Sequence, residues 1–302
     1  MKSKYLLLAP LLALTGCTLG QTPDIVVTSF VSYDAVKNIS GDEFIIKNIV
    51  PWGSELHDFE PSPRDIKNIH DAKLFVYTSL ELDTWVKDLV EIETSFELEA
   101  HYISHEHTEE HSEGEHDHEE EHSDIHFFTN PVYYLEIFDA LLPVVTELNP
   151  AKSDLFAQNH DEYTTEINTQ IVRLTTLLSD ISEPTIYFAG HNALSDFAEE
   201  FGLHIVSLSD SYKPDVDFLS PNVVAFIEAL RTNDIHYLFV EELVEPRMAE
   251  LIKIELAKQN HALEILELHG YHNITAKQAK EQITYAELFE QNVTNLSRAF
   301  SH

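Results

Sequence analysis

Short apolar segments alternate with longer segments of helical periodicity along most of this chain. Seven segments of four to seven residues are rich in β-branched and aromatic side chains: 25–30, 44–50, 74–78, 185–189, 204–208, 237–240 and 263–268. Such runs are typical of strands, and strands that alternate with helices form parallel sheets through βαβ units. The pattern predicts an α/β fold in which small, mostly parallel sheets are flanked by helices.

One unusually long helical segment separates the predicted strands into two groups. Apolar side chains recur there at spacings of three and four: Tyr163, Ile167, Ile171, Leu174 and Leu178. The segment begins after Asn149-Pro150 and ends before Pro184. We therefore expect an N-terminal lobe at 25–148 and a C-terminal lobe at 184–302, joined by a rigid connecting helix within 149–183.

The chain carries a large excess of acidic residues. Asp and Glu number 53 against 18 Lys and Arg, which gives a formal net charge of -35. This charge repels nucleic acid and anionic lipid, so nucleic-acid binding is excluded as a function, while cations are concentrated near the surface. Solubility alone explains such acidity unless the sequence also carries a metal site.

The N-terminal segment has the features of a secretory signal. Two lysines precede an apolar run over 5–14, and two small residues separate this run from Cys17, the only cysteine. The run is shorter than the roughly 20 residues that a membrane-spanning helix needs. The pattern resembles a bacterial lipoprotein signal, with 1–16 removed and a tether over 17–24 that starts at a lipidated Cys17. We therefore expect an extracytoplasmic protein anchored to the bacterial membrane by lipid alone; the alternative is an ordinary signal peptide with an incidental cysteine.

A segment rich in histidine and glutamate interrupts the N-terminal lobe. It holds eight histidines over 101–126 and nine carboxylates over 106–121, with few apolar residues. Such a segment cannot bury a core, so we expect a disordered loop over 101–125. Imidazole and carboxylate groups without fixed geometry should bind Zn²⁺, Cu²⁺ or Ni²⁺ weakly, and the alternative is a solvated charge run. The accessory ligands predicted in this loop are His105, His107, His111, His116, His118 and His122.

The segment 118–122 within this loop matches the HExxH signature of zinc peptidases. That signature requires a buried amphipathic helix that places two histidines and a glutamate around the ion. The neighbouring residues here are Glu, His, Asp and Ser, so the sequence does not favour a peptidase site.

Four further histidines lie in apolar surroundings at the ends of predicted strands or loops: His57, His126, His191 and His272. Loops at the carboxyl ends of strands are where α/β folds bind ligands. Each histidine alone could be a surface or hydrogen-bonded structural residue. Together, two from each lobe would form a tetrahedral all-nitrogen site between the lobes, which favours Zn²⁺ over Mn²⁺ although Cu²⁺ and Ni²⁺ would also bind. A site closed by four protein ligands holds no activated water, which favours binding over catalysis.

These residues resemble the cluster A-I substrate-binding proteins of metal ABC importers, a family of zinc-binding and adhesin-like lipoproteins. The resemblance spans about 24–300. Its landmarks are 53–65 around His57, 126–131, 190–203 around His191, 239–246, and 285–296 with Asn292. The resemblance implies two lobes with four-stranded sheets, a rigid connecting helix, metal between the lobes, and a histidine-rich loop beside the site in zinc-type members.

The chain departs from this family at the fourth ligand, which is Asp or Glu in many relatives and aligns with His272 here. His269 and Glu241 are the alternatives at this position. Glu60 matches a family glutamate near the metal, where it would orient His57 or a water molecule, unless it only caps the following helix.

The resemblance implies a solute-binding component that captures Zn²⁺, its transported ligand, and delivers it to an ABC permease with its ATPase, and we expect a monomer. A surface adhesin or metal-buffering lipoprotein is the first alternative, because the acidic loop would suit either. A zinc-dependent hydrolase is the second, and it would require one ligand to be water with an acid or base such as Glu241 nearby.

Overall fold

The computed structural model describes residues 22–56, 59–89, 92, 94–101, 125–191, 193–209, 221–243 and 245–301. His191 is described by its backbone alone. Several predicted features lie outside the described residues: the signal 1–16, Cys17, His57, and the loop histidines between His105 and His122.

The N-terminal lobe contains a four-stranded parallel sheet. Its strands are β1 (Ile25–Val27), β2 (Ile46–Asn48), β3 (Leu74–Tyr77) and β4 (Ser95–Glu97), in the order β2-β1-β3-β4. The flanking helices are α1 (Phe30–Ser40) and α2 (Pro63–Asp71). Each begins at a capping box, because Ser29 and Ser62 accept hydrogen bonds from backbone amides of the first turn. These caps fix the points at which the chain leaves the sheet.

Two long helices follow, α3 (Pro131–Leu148) and α4 (Ser153–Ser179). The 27 residues of α4 span roughly 40 Å at 1.5 Å per residue. The buried side chains of α4 include Phe156, Tyr163, Ile167 and Leu174, and the helix contacts α1 and α3 on the N-terminal side. Short 3₁₀ helices lie at Thr84–Asp88, Glu99–His101, Phe127–Thr129 and Pro150–Lys152.

The C-terminal lobe repeats the first topology. Strands β5 (Thr185–His191), β6 (His204–Ser209), β7 (Tyr237–Val240) and β8 (Glu264–Glu267) form a parallel sheet in the order β6-β5-β7-β8. Its helices are α5 (Ser195–Phe201), α6 (Pro221–Thr232), α7 (Arg247–Ala257), α8 (Ala276–Glu281) and α9 (Tyr285–Phe300). The connecting helix α4 packs against α5 and α9, so it contacts both lobes.

A buried carboxylate joins helices of both lobes. Asp34 on α1 accepts hydrogen bonds from the hydroxyls of Tyr134 on α3 and Tyr163 on α4, both at 2.7 Å. It also accepts one from the backbone N–H of Tyr285 on α9, at 3.0 Å. Burial raises the pKa of Asp34 to about 6, although these hydrogen bonds oppose the rise. Asp34 therefore lies where the connecting helix meets the two lobes.

The structure confirms the predicted α/β fold with two small parallel sheets flanked by helices. All seven predicted strands are present, and 95–97 forms an eighth that the sequence did not indicate, because Phe96 is its only apolar residue. The first predicted strand ends early because Ser29 caps α1 and Phe30 belongs to that helix. Among the described residues, no helix is long and apolar enough to cross a membrane.

Candidate metal site between the lobes

The structure brings His126 and His272 together from opposite lobes. Their ring centroids are 4.8 Å apart, with the ring planes at 76°. His126 is buried just before the 3₁₀ helix Phe127–Thr129, and His272 lies in the loop after β8. The ring of Phe128 packs edge-on against both imidazoles, at 6.1 and 5.9 Å. Two of the four predicted ligands therefore share one buried, partly aromatic environment.

The loops around these histidines are tied together across the lobes. Asn273 is buried, and its side-chain amide donates to the backbone oxygens of Pro51 and Ser54 at 2.9 and 2.8 Å. Pro51 and Ser54 lie in the N-terminal loop that leads to His57. On the other side, the hydroxyl of Tyr285 donates to the backbone oxygen of Phe128 at 3.1 Å. These contacts hold the chain that precedes His57 close to His272.

His272 is oriented by Glu242, which is not among the predicted site residues. Nδ1 of His272 donates to Oε1 of Glu242 at 3.0 Å, so in the neutral ring Nε2 carries the lone pair that a metal requires. Burial lowers the pKa of His272, but the hydrogen bond and charge of Glu242, with the charges of Glu55 and Glu241, outweigh it and raise the pKa overall. Burial alone would raise the pKa of Glu242. The charges of His269 and His272 and the hydrogen bonds to the carboxylate outweigh burial and hold this pKa well below its usual range.

His269, an alternative fourth ligand, lies in the support of this loop. Its Nδ1 accepts the backbone N–H of Tyr271 at 2.9 Å, and its own backbone N–H and oxygen bond the side chain of Asn292 at 2.8 and 2.9 Å. Its Nε2 is buried and hydrogen-bonds to no described residue. Burial lowers the pKa of His269, although the charge of Glu242 opposes this change. These contacts give His269 and Asn292 a clear structural role in shaping the loop.

The C-terminal ends of β5 and β7 place His191 and Glu241 at one edge of the sheet. His191 is the last residue of β5, where its backbone pairs with Ser209, and Glu241 directly follows β7. A methyl group on Gly190 would lie 3.2 Å from Oε1 of Glu241 and 2.7 Å from Cε1 of Phe188. The carboxylate of Glu241 therefore lies beside the backbone that leads into His191.

Glu60 does not cap the helix that follows it. The N-terminus of α2 is capped by Ser62 and Asp65, each of which accepts the backbone N–H of the other, and Glu60 is exposed. The capping alternative for Glu60 is therefore wrong.

Within the residues whose side chains are described, no group of three or more His, Cys, Asp or Glu side chains is placed to hold a metal ion. The side chains of His57 and His191 are not described, so neither residue could be counted in such a group. The four-histidine shell thus stays a prediction, with two of its members adjacent.

Comparison with known proteins relates this chain to proteins named for zinc binding and zinc uptake. The model of the ZnuA family, described as zinc-uptake complex component A, periplasmic, matches residues 25–299. The chain is 26% identical over 289 residues to the zinc-binding protein AdcA of Streptococcus pyogenes, covering 90% of this chain and 55% of AdcA. It thus spans about half the length of the streptococcal relatives. The high-affinity zinc uptake system protein ZnuA of Bacillus subtilis is 25% identical over 285 residues, covering 92% and 87% of the two chains.

The solved structures agree on the fold. The Zn(II)-bound ZnuA-like domain of Streptococcus pneumoniae AdcA superimposes with a TM-score of 0.74 at 21% identity, covering 93% of this chain and all of that domain. The solved structure shares the fold over 93% of this chain, and the family model matches residues 25–299. The chain belongs to the ZnuA family.

Proposed function

We propose that this protein captures Zn²⁺ between its two lobes outside the cytoplasm and delivers it to an ABC permease and its ATPase. The observation that carries this proposal is the meeting of His126 and His272 across the lobes, with ring centroids 4.8 Å apart. Two imidazoles that share a tetrahedral Zn²⁺ have ring centres roughly 5 Å apart, given Zn–N bonds of about 2.0–2.1 Å. The spacing therefore suits two ligands of one zinc ion.

We further propose that His57 and His191 complete the shell. The loop that precedes His57 is held by Asn273, and β5 carries His191 to the sheet edge beside Glu241. Four imidazoles favour Zn²⁺ over Mn²⁺, which prefers oxygen ligands. A shell closed by protein ligands leaves no position for an activated water, so the site suits binding and release rather than hydrolysis. In this arrangement Glu60 and Glu241 lie near the shell without entering it.

Metal capture between lobes provides a means of communication with a transporter. A metal ion that bonds residues of both lobes stabilises one relative orientation of the lobes, which a permease can distinguish from the metal-free protein. Because the ligands come from lobes 25–148 and 184–302, separation of the lobes breaks bonds to the ion and releases it. The connecting helix within 149–183 contacts both lobes.

Two further elements of the proposal concern segments that lie outside the described residues. Lipid on Cys17 would anchor the protein, as a monomer, to the outer face of the bacterial membrane. The histidines between His105 and His122 would collect Zn²⁺ weakly and transiently near the site. Neither element is needed for the tight site itself.

The direct test is a competition titration of the metal-free protein with Zn²⁺ and a chromophoric chelator. We expect one tight site per chain, and His126→Ala and His272→Ala should each weaken it by more than the roughly 10–100-fold typical of residues that only support ligands. His204→Ala, which removes an exposed histidine at the start of β6, is the matched control. Unchanged affinity in both site variants would refute the interlobe site.

A complementation experiment separates transport from the alternatives. A strain that lacks this protein should grow in zinc-depleted medium when it receives the wild-type gene and fail to grow with His272→Ala. If His272→Ala binds Zn²⁺ poorly but restores growth fully, buffering or adhesion by other parts of the chain would explain the protein better than delivery to a permease.

A further inference from the structure

Glu242 is the centre of the hydrogen bonds that hold the His272 loop. Its side chain is only 5% exposed. Oε2 accepts the backbone N–H of Gly270 at 2.7 Å, while Oε1 accepts both the backbone N–H and the Nδ1–H of His272, at 3.1 and 3.0 Å. Both carboxylate oxygens are thus used by three N–H groups of one short loop. A buried carboxylate with this many partners fixes the position of the loop relative to β7.

The backbone is strained on both sides of this contact. Leu243, which follows Glu242, has φ 62°, and Tyr271, which precedes His272, has φ 62°. Large side chains rarely adopt such left-handed conformations, which persist only where surrounding contacts enforce them. Stacking enforces one of them, because the ring of Tyr271 lies 4.1 Å from that of Tyr285.

Gly270 closes the remaining side of the His272 ring. A methyl group at this position would lie 2.9 Å from Cε1 and 3.0 Å from Nδ1 of His272. Because the backbone lies this close to the ring, the imidazole is confined between Gly270 and Glu242. Because Nδ1 bonds Glu242, Nε2 is the ring nitrogen that can bind a metal.

We propose that Glu242 is a positioning residue that makes His272 a metal ligand, by holding the Nδ1–H tautomer and directing Nε2 toward His126. A carboxylate on the far nitrogen also increases the electron-donating strength of a ligating imidazole. The inference rests on the proposed function, since it requires His272 to bind the metal. It assigns Glu242 no bond to the metal, because three N–H groups already occupy its oxygens.

A double-mutant cycle on Zn²⁺ affinity tests this role. In the wild-type background, Glu242→Gln should weaken Zn²⁺ binding about 10–100-fold, the usual effect of removing such a partner. In the His272→Ala background the same change should have less than about a threefold effect, because Glu242 acts through His272. Equal losses in both backgrounds would overturn the proposal, since Glu242 would then act on the metal directly or by charge alone.

Glu245→Gln is the matched control, because it removes the same charge from the same loop at an exposed position, 77% accessible. We expect this variant to bind Zn²⁺ as the wild type does. If it weakens binding as much as Glu242→Gln, a general charge effect would replace the positioning role.

The tautomer itself supplies a second readout that a merely structural role would not change. Nitrogen-15 NMR of the neutral His272 ring in metal-free protein should show Nδ1–H in the wild type. In the wild type, three N–H groups donate to the two oxygens of Glu242. The amide of Glu242→Gln has only one acceptor oxygen for these three groups, so the Nε2–H form of His272 should become populated. An unchanged tautomer in the folded variant would overturn the proposal.

The experiments also separate this inference from the proposed function. If both His126→Ala and His272→Ala leave Zn²⁺ affinity unchanged, the proposed site fails as a whole. If His272→Ala weakens binding but Glu242→Gln does not, only the role of Glu242 is refuted.

Discussion

Asp34 should make the folded protein less stable as the pH rises through about 6. The carboxylate is 3% exposed and its pKa is raised from 3.8 to about 6, mainly by burial. A raised pKa means that the folded state favours the protonated form, so the stabilisation is complete below about pH 3.8 and is lost above about pH 6. The full difference corresponds to about 3 kcal/mol, of which about 2 kcal/mol falls between pH 4.5 and 7.5.

Asp34→Asn resembles the protonated side chain and tests this magnitude. The amide oxygen can accept the N–H of Tyr285, while the amide N–H groups can donate to the hydroxyls of Tyr134 and Tyr163. The variant should therefore be more stable than wild type by roughly 1 kcal/mol at pH 4.5 and by up to about 3 kcal/mol at pH 7.5. Burial also raises the pKa of Asp83 to about 6. Asp83 is present in both proteins, so the difference in stability between the variant and wild type reports Asp34 alone.

Urea unfolding at both pH values, with a chelator present to keep Zn²⁺ from stabilising the folded state, provides the measurement. Asp180→Asn, which removes an exposed carboxylate at the end of α4, is the control. A stability difference between Asp34→Asn and wild type that is the same at pH 4.5 and 7.5, or a variant less stable than wild type at pH 7.5, would show that ionisation of Asp34 does not destabilise the fold.

Three further predictions concern the metal site. Gly270→Ala should weaken Zn²⁺ binding in a competition titration by at least about tenfold, because its methyl group would lie 2.9 Å from Cε1 of His272 and move the ring; binding as in the wild type would contradict the close approach. Zn²⁺ affinity should decrease as the pH is lowered, and the decrease should begin above about pH 6.5, the ordinary pKa of imidazole, because Glu242 raises the pKa of His272 and protons compete with the ion. Equal affinity in titrations at pH 7.5 and 5.5 would contradict a histidine shell. Deletion of 101–123 should remove weak Zn²⁺ binding and keep one tight site in calorimetry, because the histidines and carboxylates of that segment are predicted to bind the ion only weakly; loss of the tight site would place the primary metal centre in that segment.

The fold was predictable from the sequence where burial imposes a pattern. Both sheets are apolar at their centres, so the buried strands β1, β3 and β7 appear as short runs of large apolar residues. β4 was not predictable, because a three-residue edge strand with one buried side chain has no distinctive composition.

The candidate site was only partly predictable for a different reason. Histidines at strand ends stand out, and His126 and His272 do meet. Two glutamates follow β7, and the sequence does not show which of them faces the His272 loop. That choice depends on the conformation around Leu243 and on contacts between residues far apart in the chain. The interlobe bonds of Asn273 likewise join residues more than 200 positions apart, which no local pattern indicates.

X-ray absorption at the zinc K edge identifies the metal ligands directly, on protein that lacks 101–123 and carries one equivalent of Zn²⁺. We expect four nitrogen ligands at about 2.0–2.1 Å with the scattering pattern of four imidazoles. His272→Ala should remove one of the four imidazoles, while His204→Ala should leave the spectrum unchanged. A wild-type spectrum with two or fewer imidazoles would contradict the proposed capture of Zn²⁺ by histidines of both lobes.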